Sequence, residues 1–217
     1  MKYNMRIAKR KDKNGCFTFT QRSIDNIPEI DIFADSRINK IITDGCKEVL
    51  RRSMDINNPY RYGEQGLLIS TVDVDSKGNK LPHIHECFDG EYHNLIAGSK
   101  YGNIVAQRPI KDLIFIHNHP NNSSFSAEDL KSLTNVKSII AIIAVGNRHN
   151  VFILINNTKS SIVPNYIDKH MMEYQKKNGI VISRKKRKAI ADSAARYILD
   201  NYAKFKLDYY KLRRKSK

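Results

Sequence analysis

The sequence predicts an α/β domain with a mixed β-sheet flanked by helices, followed by a helical, basic C-terminal extension. Three observations lead there. Short apolar runs of strand length alternate with stretches of helical periodicity, the connections between them carry Gly, Asn and Pro, and positive charge concentrates in the last quarter of the chain.

The elements follow in chain order. Residues 1–35 are read as an N-terminal extension. Asp35 or Ser36 can then cap a helix whose Ile38, Ile41, Ile42, Cys46, Val49 and Leu50 form one apolar stripe, ending near Asn57, Asn58 and Pro59. After the loop PYRYG, the run EQGLLISTVDVD has the apolar, β-branched content of a buried strand and closes on the turn DSKGN, with Glu64 at its mouth. The stretch from LPHIHECF to IVAQRP has room for a strand or two and an exposed loop. LIFIHN then reads as a strand, SAEDLKSL as a short helix, and SIIAIIAVGN and VFILIN as paired strands across GNRHN. These elements place the main domain over residues 36–160.

Residues 161–217 are read as a tail. From residue 165 onward, 16 Lys and Arg stand against 5 Asp and Glu, a net +11 out of the chain's +16. The spacing of Ile190, Ala194, Tyr197, Ile198, Phe205, Tyr209 and Leu212 predicts one long amphipathic helix over about residues 185–212. Lys185, Lys186, Arg187 and Lys188 cluster at one end, and Arg213, Arg214 and Lys215 at the other. Such charge favours acidic protein surfaces or nucleic acid as partners. The three cysteines, Cys16, Cys46 and Cys87, form neither a disulfide framework nor a zinc ribbon, which fits a reducing cytoplasm. The longest apolar run, residues 139–145, falls far short of the roughly 20 residues of a membrane span.

The chemistry concentrates in LIFIHNHPNNSSFSAED. Alternate residues of a strand share a face, so His117 and His119 project to the same side and can converge on one ion. Pro120 stops the strand there. Asp129, ten residues on in the first turn of the next helix, can return a carboxylate to the same point. Two imidazoles and a carboxylate leave a fourth tetrahedral position for water, the pattern of catalytic zinc. Ser126 and Asp129 also read as a capping box, which requires no metal. His83, His85 and Cys87 could suggest a second metal site, but alternating polar residues on an exposed strand explain them equally well.

This combination, His117-Asn-His119-Pro, a polar loop, then Ser126-x-x-Asp129, with a glutamate upstream at a strand start, resembles the JAMM motif of the JAB/MPN metalloprotease superfamily. The resemblance covers about residues 36–157, and the loop of six residues before Ser126 is similar to bacterial and phage-type members. It implies a JAB/MPN-like fold and Zn2+ on His117, His119 and Asp129. It further implies Glu64 as general base, with Glu86 and Glu91 as competing candidates, and Ser126 as oxyanion donor. The implied reaction is hydrolysis of an amide or isopeptide bond in a protein or peptide, a ubiquitin-like conjugate among the options. A second expectation, similar to the RadC branch, is a nucleic-acid-associated protein that holds DNA or RNA through its basic tail.

Overall fold

The structure, a computed structural model, describes residues 11–74, 80–91, 99–108, 111–157, 162–179 and 182–213. Six strands make one mixed sheet: β1 (Gln65–Val74), β2 (Lys80–Asp89), β3 (Leu113–His119), β4 (Ile139–Gly146), β5 (Val151–Asn156) and β6 (Leu207–Leu212). Their spatial order is β2-β1-β3-β4-β5-β6. Only β3 and β4 run parallel; every other neighbouring pair is antiparallel. The parallel pair requires a crossover, which the helix α4 (Ala127–Asn135) supplies.

Strand alternation divides the core into two layers. On one face Leu67, Ile69, Ile114, Ile116, Ile143 and Ile153 meet α2 (Ser36–Met54) through Ile42, Cys46, Val49 and Leu50. Asp35 caps α2, its carboxylate accepting the Arg37 amide at 2.8 Å. Gly45 allows the helix to close on the sheet: a Cβ there would stand 2.9 Å from Ile116 Cδ1. The N-terminal residues join the same layer, where Phe19, Ile27 and Ile30 are buried alongside Ile24 of the short helix α1 (Gln21–Asp25).

The opposite face carries Leu68, Leu113, Phe115, Ile142, Phe152 and Leu154. It is covered by α4, by α5 (Ile162–Asn178) and by α6 (Arg184–Asp200), with Tyr101, Ile104 and Val105 of α3 (Ser99–Gln107) at its margin. The sequence stretch left open thus holds the edge strand β2 and, unforeseen, the helix α3.

One expectation is corrected. The helix predicted over residues 185–212 stops at Asp200, and the chain turns through a 3-10 segment, Tyr202–Phe205, with Lys206 in the left-handed region at φ 56°. It then forms β6, paired antiparallel to β5 from Asn156↔Leu207 to Val151↔Leu212. Helical spacing misled here because Phe205, Tyr209 and Leu212 fit a 3.6-residue repeat, while LDYYKL equally offers the aromatic content of a strand. Residues read as a tail therefore supply α5, α6 and the sixth strand, and Val163, Ile167, Ala194, Ile198, Phe205 and Leu207 lie in the same core as α4.

This packing sets a stability test. Phe205→Ala, at a site only 6 % exposed, is expected to cost about 3–5 kcal/mol in urea unfolding, while Tyr210→Ala on the exposed side of β6 changes stability by well under about 1 kcal/mol. Equal small effects would mean that the C-terminal segment around Phe205 does not share the core.

Candidate metal centre

The site forms at the end of β3 beside β4. All seven residues of β3 are buried. His117 and His119 continue the face of Leu113 and Phe115, as their parity requires, and the Phe115 ring stacks on His117 with centroids 5.1 Å apart. The two Nε2 atoms lie 2.8 Å from each other. Asp129 reaches back from the first turn of α4, Oδ1 at 3.2 Å from His117 Nε2 and Oδ2 at 3.5 Å from His119 Nε2. Among the described residues this is the one cluster of His, Cys, Asp or Glu able to hold a metal ion, its three ligand atoms lying within 4.8 Å of one another.

The surroundings suit that use. His119 Nδ1 faces the Ser123 carbonyl oxygen at 3.0 Å, so it carries the proton and leaves a lone pair on Nε2. His117 Nδ1 is buried without a hydrogen-bond partner among the described residues, so the Phe115 stack and Asp129 are the contacts that orient that ring. Asp129 does two jobs at once. Ser126 caps α4 by accepting the Asp129 amide at 3.2 Å, while Asp129 Oδ2 accepts the Ser126 amide at 2.7 Å and its hydroxyl at 2.8 Å. The capping box is present, and the same geometry leaves Asp129 able to serve as a ligand.

Electrostatics agree. Burial works to raise the Asp129 carboxyl, but the charge and hydrogen bond of His117, with His119 behind it, hold it well below the usual range. Burial tends to lower His117, and Asp129 and Glu64 override it, leaving this imidazole above its ordinary value. Burial first, and then the His117 charge, depress His119 to about 4.

Glu64 precedes β1. The β1–β3 register ends with Gly66 opposite His117, two residues past Glu64. The glutamate is half-buried, and burial pushes its carboxyl up to about 7; His117 and Lys188 pull it down and Asp129 raises it. Glu64 is therefore within electrostatic reach of His117 and Asp129. Glu91 is exposed and takes part through its backbone, its carbonyl accepting the Glu64 amide at 2.8 Å. The side chain of Glu86 lies outside the described residues, as do Arg214 and Lys215. His83 stands exposed on β2.

Lys185, Lys186, Arg187 and Lys188 occupy the exposed first turn of α6, and Arg213 directly follows β6. This region adjoins the site. Asp192 of α6 accepts the Ala127 amide at 3.2 Å, and Ser124 Oγ meets the Tyr209 hydroxyl of β6 at 3.0 Å. Sequence reasoning missed these braces, and it missed Asn118, Asn147 and Ser53. The available signal was an asparagine following Ile114 and Ile116 at alternate positions of an otherwise apolar strand. A surface notch of about 380 Å³ at the C-terminal end of α2 is lined by Arg52, Asp55, Tyr60 and Gln65, with no histidine among its described lining residues.

No family model, no curated protein and no solved structure matches the chain. The functional reading therefore stands on the geometry of the site.

Metal uptake is the first test. Metal binding needs a neutral His117, whose pKa lies above the ordinary imidazole value, so apparent affinity should weaken by roughly tenfold per pH unit on acidification below that pKa. His119→Ala should lose the bound metal by elemental analysis. Full occupancy in that variant would remove the histidine pair from the site.

Proposed function

We propose that the chain is a zinc-dependent metalloprotease or isopeptidase of the JAMM type, with a JAB/MPN-like fold, that hydrolyses an amide or isopeptide bond. The observation that carries the reading is the convergence of His117, His119 and Asp129 at the end of β3, with the half-buried Glu64 in electrostatic reach of them. A divalent metal on three protein ligands supplies an open coordination position and lowers the pKa of a water there to about 7.

The chain's own groups do the rest. Glu64 accepts a proton as base and returns it to the leaving amine. Its burial suits the task, because a carboxyl poised near neutrality both takes and gives a proton. Ser123 holds His119 with Nε2 forward, and Ser126 holds Asp129. Ser126 is also proposed as oxyanion donor, its hydroxyl exchanging Asp129 Oδ2 for the substrate oxygen. The substrate is a protein or peptide, and the setting proposed is cytoplasmic. Among the described residues no helix is long and apolar enough to cross a membrane.

The pH sign follows from Glu64. Only the carboxylate can act as base, so hydrolysis should rise with pH through an acid limb whose midpoint lies below about 7, because a bound cation stabilises the charged form further. Glu64→Gln should keep the metal and lose hydrolysis of a peptide library; wild-type turnover in that variant rejects the assignment.

A second reading has its own observation. Five successive cationic residues, Arg184 to Lys188, are exposed at the start of α6, with no acidic residue in that turn. Like the RadC-type expectation, this charge supports a nucleic-acid contact at the helix start. Reversing Lys185 and Lys186 to Glu should weaken polyanion binding and flatten its salt dependence, with metal content unchanged. Deleting the whole tail would not test it, since β6 and its core residues would go too. Undiminished binding in the reversed variant would reject the second reading.

A further inference from the structure

We infer that Asn118, the residue between the two histidines, is the positioning residue that fixes Glu64 relative to the metal ligands; this rests on the metal-hydrolase reading above. Asn118 points away from the histidines, to the α2 face, and is fully buried. Its carboxamide is used from both ends. Oδ1 accepts the Gln65 amide at 2.6 Å, and Nδ2 donates to the Gly63 carbonyl at 3.0 Å and to Asn147 Oδ1 at 3.0 Å. Those partners set the amide's orientation, because Gln65 N–H can only donate and the Gly63 carbonyl can only accept.

Gly63 and Gln65 flank Glu64. One side chain on β3 thus grips the backbone on both sides of the proposed base. The remaining backbone groups of Glu64 are occupied as well, its amide by the Glu91 carbonyl at 2.8 Å and its carbonyl by Gln65 Nε2 at 2.8 Å.

The grip is itself braced. Ser53 Oγ of α2 donates to the Gly63 carbonyl at 2.7 Å, and Asn147, just past β4, donates to the Tyr62 carbonyl at 3.2 Å and the Phe17 carbonyl at 2.9 Å. Gly63 has no room for a side chain, as a Cβ would stand 2.6 Å from the Tyr60 oxygen and 2.7 Å from the Glu91 oxygen. Consequently the strand that presents two ligands on one face measures out the base from its other face. A displacement of about 1 Å in such a constellation can cost on the order of 10²-fold in rate. A buried polar hub at this point has that geometric consequence, whereas an apolar residue would fill the layer equally well.

The test uses the full chain loaded with Co2+, whose visible absorption reports ligand geometry and, by its change with pH, the ionisation of the open position. Asn118→Leu, Glu64→Gln and the double variant are compared with wild type. Because Asn118 touches no ligand side chain, Asn118→Leu should bind Co2+ with wild-type affinity and band intensity. Its spectral pH midpoint should move in the same direction as in Glu64→Gln and by a similar amount, and the double variant should move no further. Should the leucine variant fail to fold by circular dichroism, Asn118→Ser takes its place, since a hydroxyl cannot span Gly63 and Gln65 together. A wild-type midpoint in the Asn118 variant while Glu64→Gln shifts it overturns this inference alone. Absence of Co2+ binding in wild type, or no shift in Glu64→Gln, overturns the metal-hydrolase reading and this inference with it.

Discussion

The two-residue alternation at the end of β3 is the constraint on which the site depends. His117 and His119 must face one layer and Asn118 the other, because successive side chains of a strand leave opposite faces. β3 is buried throughout and paired on both sides, with β1 antiparallel and β4 parallel. A slip of one residue in either pairing would turn both imidazoles into the layer under α2 and carry the asparagine to the face of Asp129. Register and chemistry are therefore one requirement.

From that strand end the neighbouring loops take their positions. The His119 carbonyl accepts the amides of Asn122 at 2.9 Å and Asn147 at 3.3 Å, while the Phe17 amide reaches the Pro120 carbonyl at 2.9 Å. Asn122, at φ 58°, folds so closely over Gly146 that a side chain there would collide with it. The segment from Pro120 to Ser126 is thus held by the N-terminal residues, by the β4–β5 turn and, through Ser124 and Tyr209, by β6. The C-terminal elements act as a wall of the site, and the first turn of α6 brings Lys188 into electrostatic reach of Glu64.

Strands with strong alternation or continuous apolar content were legible, and so was α2 with its cap. The histidines, Asp129 and the capping box were legible because their chemistry depends on local spacing. Asn118 was not, since its value lies in two backbone groups 53 and 55 residues away. The extent of α6 was misread because helical and strand repeats coincide at Phe205, Tyr209 and Leu212, and only pairing with β5 decides between them. Sequence also treated residues 1–35 as an extension, although Phe19, Ile24, Ile27 and Ile30 are core residues. Non-local partners supply the burial in both cases.

X-ray absorption at the zinc K-edge of the purified native chain tests the central claim most directly, because it counts and types the ligands in one measurement. The account requires a zinc edge with a first shell of nitrogen and oxygen at about 2.0–2.2 Å, two of the scatterers showing imidazole multiple scattering. A shell containing sulfur at about 2.3 Å, or no bound metal at all, would contradict it.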